Sequence, residues 1–331
     1  MPNDKSVLIV DDDPQTLASM REALSDEFHL SYATSGMQAL DAAKRVNPQL
    51  ILLDIGLPDI DGVEVCRRLK ADAQTAGVPV IFVTSLSETS IGVEGFDAGA
   101  VDFITKPIMP ELVVARVKSH LSLVQVDRLQ SAYNDAISML AIAGEYNDTE
   151  TGIHIRRMAA ISACVAQHAG WTADRVEHME LAAAMHDIGK VGVPSSILQK
   201  PGPLDTEEWK VMRRHPKMGS DILSVSDAPV FQLASEIALG HHERWDGSGY
   251  PNGIAGKEIP ESARIVALAD VFDALTSVRP YKKAWSVDDA IAYIRKESGA
   301  HFDPDLVELF VGILPQVVAV KAKWDAVAQA S

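Results

Sequence analysis

The sequence predicts a multidomain chain: a doubly wound α/β domain on a parallel sheet, followed by an all-α helical bundle. Three observations predict it. At 331 residues the chain exceeds one ordinary core. Its first ~120 residues alternate apolar strands with helical segments, the pattern of a parallel sheet. After Gly144 only helical periodicity remains.

In chain order, Ser6–Val10 reads as a continuous apolar strand and Thr16–Leu24 as a helix. Leu50–Asp54 and Val78–Thr84 are buried strands rich in large or β-branched side chains. Ala100–Ile104 is a short strand running into Thr105-Lys106-Pro107, and Pro110 suits the first position of the next helix. From Glu111 to Ala143 no Pro or Gly interrupts the chain, which predicts one long helix or two nearly continuous ones. Its apolar repeat is not a clean heptad, so a dimerising coiled coil and a plain connecting helix both remain open. Helical spacing then recurs in Thr151–His168, Thr172–His186, Asp205–His215, Ala228–His242, Ser262–Ser277 and Val287–Lys296. Asp205 with Glu208 reads as a capping box. The Gly/Pro-rich stretches Gly189–Pro203 and Asp246–Pro260 are long for loops in a compact helical domain, which favours a functional role. The expected domains are 1–122 and 146–331, with a helical linker over 123–145.

With 47% hydrophobic and 23% charged residues, the chain is of the soluble globular class. A net charge of −16 argues against a general nucleic-acid binder, because phosphate backbones are gripped mainly by Lys and Arg; no DNA partner is expected. The two cysteines, Cys66 and Cys164, lack metal-ligand spacing and imply no disulfide framework, which fits a reducing cytoplasm. The N-terminus runs straight into a strand without the apolar region of a signal peptide. No run of about 18 apolar residues appears, so no membrane insertion is expected.

Asp11, Asp12 and Asp13 follow the first strand and Asp54 ends a later one. In a parallel sheet such ends share an edge, where ligand sites form, and clustered carboxylates suit a hard cation such as Mg²⁺. Thr84 and Lys106 also sit at strand ends, where a hydroxyl and an ammonium can meet a phosphoryl group. Each residue alone reads as an ordinary turn or cap; together, in a mostly apolar sheet, they read as a site. Val7–Asp12, Leu52-Leu53-Asp54, Pro58 with Asp61-Gly62, Thr84-Ser85 and Phe103 before Lys106-Pro107 resemble a response-regulator receiver domain over residues 1 to about 122. The resemblance implies a five-stranded, flavodoxin-like sheet. It implies Asp54 as phosphoacceptor for a sensor histidine kinase, and Asp11, Asp12 and Asp54 around Mg²⁺. Thr84, Phe103 and Lys106 become the switch residues, and the Lys106–Pro107 bond is expected cis.

Five of the ten histidines form a second set. Glu150 and His154 are four apart and share a helix face. His186-Asp187 closes an apolar helix, His215 ends another at Pro216, His241-His242 closes a third, and Asp270 sits inside a fourth. His29, His120, His168, His178 and His301 read as ordinary surface or core residues. Imidazole and carboxylate ligands without thiolate suit Fe, Mn, Ni, Co or Zn. Eight side chains exceed what one ion takes, so two or three ions are expected, with Asp187 placed to bridge and Lys190 to donate to a phosphate or leaving oxygen. Such a site hydrolyses a phosphodiester without a protein nucleophile. The run Arg279-Pro280-Tyr281-Lys282-Lys283 is a solvated loop or, in so acidic a chain, a binder of substrate phosphates.

His186-Asp187-Ile188-Gly189-Lys190 and His241-His242-Glu243 through Asp246-Gly247 to Gly249-Tyr250-Pro251 resemble the HD-GYP subgroup of HD phosphohydrolases, over about 146 to 310. The resemblance implies hydrolysis of cyclic di-GMP to pGpG, in some members on to GMP, with Fe or Mn as the metals. It implies His186, Asp187, His215, His241, His242 and Asp270 as ligands, with Glu150 and His154 added in three-metal members. Arg279 and Lys282, with Lys190 and the Gly249-Tyr250-Pro251 loop, become substrate contacts; that loop also meets GGDEF diguanylate cyclases in the family. Two competing readings stay open: a catalytically silent scaffold binding cyclic di-GMP or a diguanylate cyclase, and a phosphohydrolase of another nucleotide.

Overall fold

The structure, a computed structural model, describes residues 5–85, 94–144, 152–278 and 283–330. The chain divides into two compact units, Met1–Ser131 and Ala132–Ser331.

In the first unit β1 (Ser6–Val10), β2 (His29–Ala33), β3 (Leu50–Asp54), β4 (Val80–Thr84) and β5 (Asp102–Thr105) form one parallel sheet in the order β2-β1-β3-β4-β5. Helices α1 (Pro14–Leu24), α2 (Gly36–Val46) and α3 (Gly62–Ala71) lie between strands, and α4 (Pro110–Gly144) follows β5. β3 and β4 are buried along their whole length because both sheet faces are covered. The two-residue period of a strand sorts their side chains. Leu8, Val10, Ile51, Leu53 and Phe82 join Ala39, Val65 and Leu69 of α2 and α3 on one face. Val7, Ile9, Leu50, Leu52, Ile81 and Val83 join Met20 and Leu24 of α1 and Val113 and Val117 of α4 on the other. β1 lies between β2 and β3, so the strand order reverses there. Val10 pairs with Leu53, which sets Asp11 beside Asp54 at the carboxyl edge.

The second unit is helical among the described residues. After the end of α4 come α5 (Gly152–His168), α6 (Ala173–Ala183), a 3₁₀ turn (Ile188–Gly192), α7 (Ser195–Leu198), α8 (Thr206–Met212), α9 (His215–Leu223) and α10 (Pro229–Gly240). A second 3₁₀ turn (Gly256–Glu258) precedes α11 (Glu261–Thr276), α12 (Val287–Lys296), α13 (Pro304–Gly312) and α14 (Leu314–Ala330). One core joins Ile155, Met158 and Val165 of α5, Met179 of α6, Ile237 of α10, Ile265 and Phe272 of α11 and Phe310 of α13. Phe272 and Phe310 meet edge to face with centroids 5.1 Å apart.

Three local expectations change. His215 opens α9 instead of closing a helix; Pro216 lies in the first turn, where its missing N–H costs no bond. The segment expected to be one helix to His186 ends at Ala183, so His186 and Asp187 follow it. β2, α2, α3, α13 and α14 were not anticipated individually, and the stretch Gly189–Pro203, expected as a loop, contains a 3₁₀ turn and α7. The capping box at Asp205 and the cis Lys106–Pro107 bond are present, and Tyr250–Pro251 is cis as well. No helix among the described residues is long and apolar enough to cross a membrane.

Candidate metal centre and phosphoacceptor pocket

At the carboxyl edge of the sheet, Asp11, Asp12 and Asp54 bring one oxygen each within 4.8 Å of one another. Lys106 Nζ lies 2.8 Å from Asp11 Oδ2 and 2.8 Å from Asp54 Oδ2. Burial opposes the charge on Lys106, but hydrogen bonds to Asp11 and Asp54 outweigh it and raise its pKa. Burial also raises the Asp11 carboxyl. Two carboxylates turned on one ammonium suit a divalent cation, which would share the negative charge. Asp13 does other work: its carboxylate accepts from the N–H groups of Gln15 and Thr16 and caps α1. Thr84 is buried at the end of β4, and Phe103 on β5 is half-buried, edge to face with Phe96 at 6.4 Å.

In the second unit Asp187, His215, His241 and His242 bring one ligand atom each within 4.8 Å of one another. Backbone carbonyls set the rings. Nδ1 of His186 faces Ala183 O at 3.0 Å, that of His215 faces Met212 O at 2.8 Å, and that of His241 faces Ala238 O at 3.0 Å. A carbonyl only accepts, so each Nδ1 donates, and in the neutral ring the lone pair is left on Nε2. His215 Nε2 stands 3.0 Å and His241 Nε2 3.4 Å from Asp187 Oδ1. All three atoms are buried and none has a hydrogen-bond partner. Acceptors facing acceptors in a dry site call for a cation between them, so the donor set fits a transition metal.

The other carboxylate oxygen, Asp187 Oδ2, faces His186 Nε2 at 3.3 Å and Lys190 Nζ at 2.7 Å. Burial works against the charge of Asp187, but Lys190 and His186 hold it well below the usual carboxylate range. Burial, then the neighbouring His241, pushes His242 well below the ordinary imidazole value. Both shifts keep the groups in the forms that bind metal. His154 and Asp270 form a separate pair, Nε2 to Oδ1 at 3.7 Å.

A family model described as a response regulator receiver domain matches residues 7–118, and one described as an HD domain matches residues 138–306. A cyclic di-GMP phosphodiesterase response regulator, RpfG of Xanthomonas campestris pv. campestris, is 37% identical across 92% of this chain and 86% of its own length. A cyclic di-GMP phosphodiesterase of Thermotoga maritima is 36% identical across 95% of this chain and 92% of its own. A 3'3'-cGAMP-specific phosphodiesterase of Vibrio cholerae is 41% identical over 59% of this chain and 37% of its own length. The chain belongs to the response regulators that join a receiver domain to an HD domain. Like them it is a hydrolase.

In this response regulator the Gly249-Tyr250-Pro251 loop lies against the HD-domain histidines. Tyr250 stacks on His242 with centroids 4.7 Å apart and planes 25° apart. Arg213 lies 5.3 Å above the same tyrosine ring. Burial pushes the Tyr250 hydroxyl pKa up, so it stays a neutral donor. A Cβ on Gly249 would lie 2.3 Å from the backbone N of Arg244, so only glycine allows this close approach. Glu243, quoted above only as part of a motif, is buried and accepts from the N–H groups of Asn252 (2.7 Å) and Gly253 (3.0 Å). It ties the loop to the histidine doublet.

Sequence reasoning also missed Arg157 and Asp273. Asp273 is buried, accepts from His154 Nδ1 at 2.6 Å and is gripped by Arg157 through Nε and, at 2.8 Å, Nη2. Burial penalises its charge, yet hydrogen bonds from Arg157 and then His154 pull its pKa down to about 2. The signal was available in the spacing: Arg157 is one turn from His154, and Asp273 one turn from Asp270. Glu150, Arg279 and Lys282 lie outside the described residues.

Proposed function

We propose that the HD domain hydrolyses cyclic di-GMP to pGpG, with further hydrolysis to GMP as an expected extension, and that phosphorylation of Asp54 controls it. The observation that supports this best is the meeting of Asp187 Oδ1, His215 Nε2 and His241 Nε2, all buried and all without a hydrogen-bond partner. The relatives named as cyclic di-GMP phosphodiesterases over most of the chain support the substrate.

His186, Asp187, His215, His241, His242 and Asp270 would hold two ions, and Glu150 with His154 a third. Fe or Mn suits this nitrogen and oxygen set. When bound, the ions supply an acidified water and neutralise charge on the phosphoryl oxygen. Asp187 is suited to bridge, since its two oxygens face different partners. Lys190, held 2.7 Å from Asp187, is placed to donate a hydrogen bond to a phosphate or leaving oxygen. Tyr250, stacked on His242, offers its hydroxyl to a base or ribose, with Gly249 and Pro251 shaping its approach. Arg279 and Lys282 would bind the substrate phosphates.

In the receiver domain Asp11, Asp12 and Asp54 would hold Mg²⁺ while Asp54 takes a phosphoryl group from a sensor histidine kinase. Lys106 and Thr84 would then bond the phosphate, with Phe103 reporting the change. The domains run 1–122 and 146–331 with 123–145 as linker, in a cytoplasmic protein. A homodimer through α4, whose Leu123, Val126 and Leu129 are exposed, and GGDEF cyclases at the Gly-Tyr-Pro loop are the proposed protein partners.

A second reading, 3'3'-cGAMP as substrate, is favoured by the Vibrio cholerae relative of that specificity. Full-length protein purified without oxygen and loaded with Fe²⁺ or Mn²⁺ is expected to cleave cyclic di-GMP faster than 3'3'-cGAMP. Asp187→Asn is expected to lose at least about 10²–10³-fold in kcat, the scale of losing one main electrostatic group. Faster cleavage of 3'3'-cGAMP would reverse the order of the two readings. Tight binding of cyclic di-GMP without turnover under either metal would replace both with a silent scaffold.

A further inference from the structure

We propose that Asp273 is a positioning residue of the HD metal centre. It holds His154 by Nδ1 so that Nε2 presents its lone pair beside Asp270, and Asp273 is itself held by Arg157 and, through Arg157, by Asp325 of the last helix. The inference rests on the metal-centre reading and adds residues which that reading does not use.

The geometry repeats on two helices. α5 carries His154 and, one turn on, Arg157; α11 carries Asp270 and, one turn on, Asp273. Each helix therefore offers one ligand and one supporting group on the same face. His154 Nδ1 lies 2.6 Å from Asp273 Oδ2. An ionised carboxylate only accepts, so Nδ1 donates to it, and in the neutral ring the lone pair falls on Nε2, 3.7 Å from Asp270 Oδ1. Arg157 fixes the carboxylate with both arms of its fork, Nε to Oδ1 and Nη2 to Oδ2. Its Nη2 also meets Ser277 Oγ at 2.6 Å, and its Nη1 reaches Asp325 Oδ1 at 2.9 Å. Asp325 is in turn paired with Lys321 at 2.8 Å on its own helix.

A buried ion pair that only stabilised the fold would need no imidazole in it. Here the third member is a ring whose second nitrogen faces another carboxylate. The Nδ1 atoms of His186, His215 and His241 rest on neutral carbonyls, whereas that of His154 rests on a charged carboxylate. A carboxylate partner makes the imidazole a stronger ligand and locks its tautomer. An ion bound by His154 would thus be the one that Asp273 governs, and α14 is tied to that ligand through Arg157 and Asp273.

The test uses the full chain with ¹⁵N-labelled histidine and Mn²⁺ alone as probe. In metal-free wild type, the His154 nitrogen shifts are expected to report an Nδ1–H tautomer, and in Asp273→Asn a mixture. In Mn²⁺ titrations Asp273→Asn is expected to weaken one ion by about 10–100-fold, with the remaining affinity unchanged. Asp325→Asn, at a partly exposed position, is expected to weaken the same ion several-fold. An unchanged tautomer and affinity in Asp273→Asn would overturn the proposal. So would equal weakening of every ion together with a fallen melting temperature, which marks a structural role only. If Asp273→Asn does not fold, unchanged Mn²⁺ affinity in Asp325→Asn overturns it. Wild type that binds no Mn²⁺ would instead sink the metal-centre reading, and this inference with it.

Discussion

Single residues in this chain are set by what their second polar atom touches. A histidine is suited to be a ligand here when its Nδ1 is already committed, as in His186, His215 and His241. His301 shows the contrary case. Its Nδ1 is buried with no hydrogen-bond partner, and its ring stacks on Phe302. Burial, then the charge of Arg244, lowers its pKa to about 4. Between that value and the ordinary imidazole value near 6.5 the unfolded chain binds a proton that the folded chain refuses. Stability from this group is therefore full above about pH 6.5 and is lost as pH falls towards 4. His301→Gln is expected to lose less stability than wild type between pH 7 and pH 5, read as urea midpoints of metal-free protein. Every other histidine is the same in both proteins, so the difference isolates His301. Parallel midpoints in the two proteins would remove the assignment. The sequence singled out the candidate ligand histidines by their doublets and acidic neighbours, and left His301 apart. It could not reveal the carbonyls that orient them, because a carbonyl of the preceding turn leaves no mark in residue identity; for Asp273 the spacing from Asp270 marked the helix face, but not its pairing with His154, 119 residues away.

At the scale of elements, the HD site depends on one close approach. The turn Ile188–Gly192 packs directly on α9, and a Cβ on Gly189 would lie 2.0 Å from His215 O and 2.5 Å from Gly219 N. Gly189→Ala must push α9 away, and His215 moves with it. The expected cost is about 1–3 kcal/mol of stability, together with a loss of Mn²⁺ affinity at Asp187 and His215. Calorimetry and metal titration check both. A variant that binds Mn²⁺ like wild type would show that the turn and α9 do not set the ligand spacing. Gly189 was legible only as part of a motif; the backbone it touches was not. Pro216 misled for a related reason, since a proline after a histidine reads as a stop when it also suits a first turn. β2 escaped because it is an edge strand with exposed residues: His29-Leu30-Ser31-Tyr32 lacks the apolar run that marked β1, β3 and β4. For α13 the signal existed, Asp303 as cap and Pro304 in the first turn, and was not used.

At the scale of the whole molecule, one helix belongs to both units. α4 runs from Pro110 to Gly144, and the division of the chain falls inside it, between Ser131 and Ala132. Its first part supplies Val113, Val117 and Leu121 to the receiver core, and its last part supplies Ile137 and Ala141 to the HD core. A change in how the receiver core packs against this helix thus reaches an element that the HD core also uses, which is the physical basis proposed for control by Asp54. Coupling of this kind is a free energy shared by two sites and must act in both directions on binding. Beryllofluoride with Mg²⁺ mimics the phosphorylated aspartate, so it is expected to change both cyclic di-GMP turnover and Mn²⁺ affinity of the full chain. The change in affinity is expected to be about 5–150-fold, the usual span of such coupling. Asp54→Asn is expected to abolish both effects while keeping the turnover of untreated wild type. The converse measurement is equally informative: Mn²⁺ loading should alter beryllofluoride affinity by the same factor. Identical turnover and Mn²⁺ affinity with and without beryllofluoride in wild type would mean that the shared helix joins the two domains without carrying a signal between them.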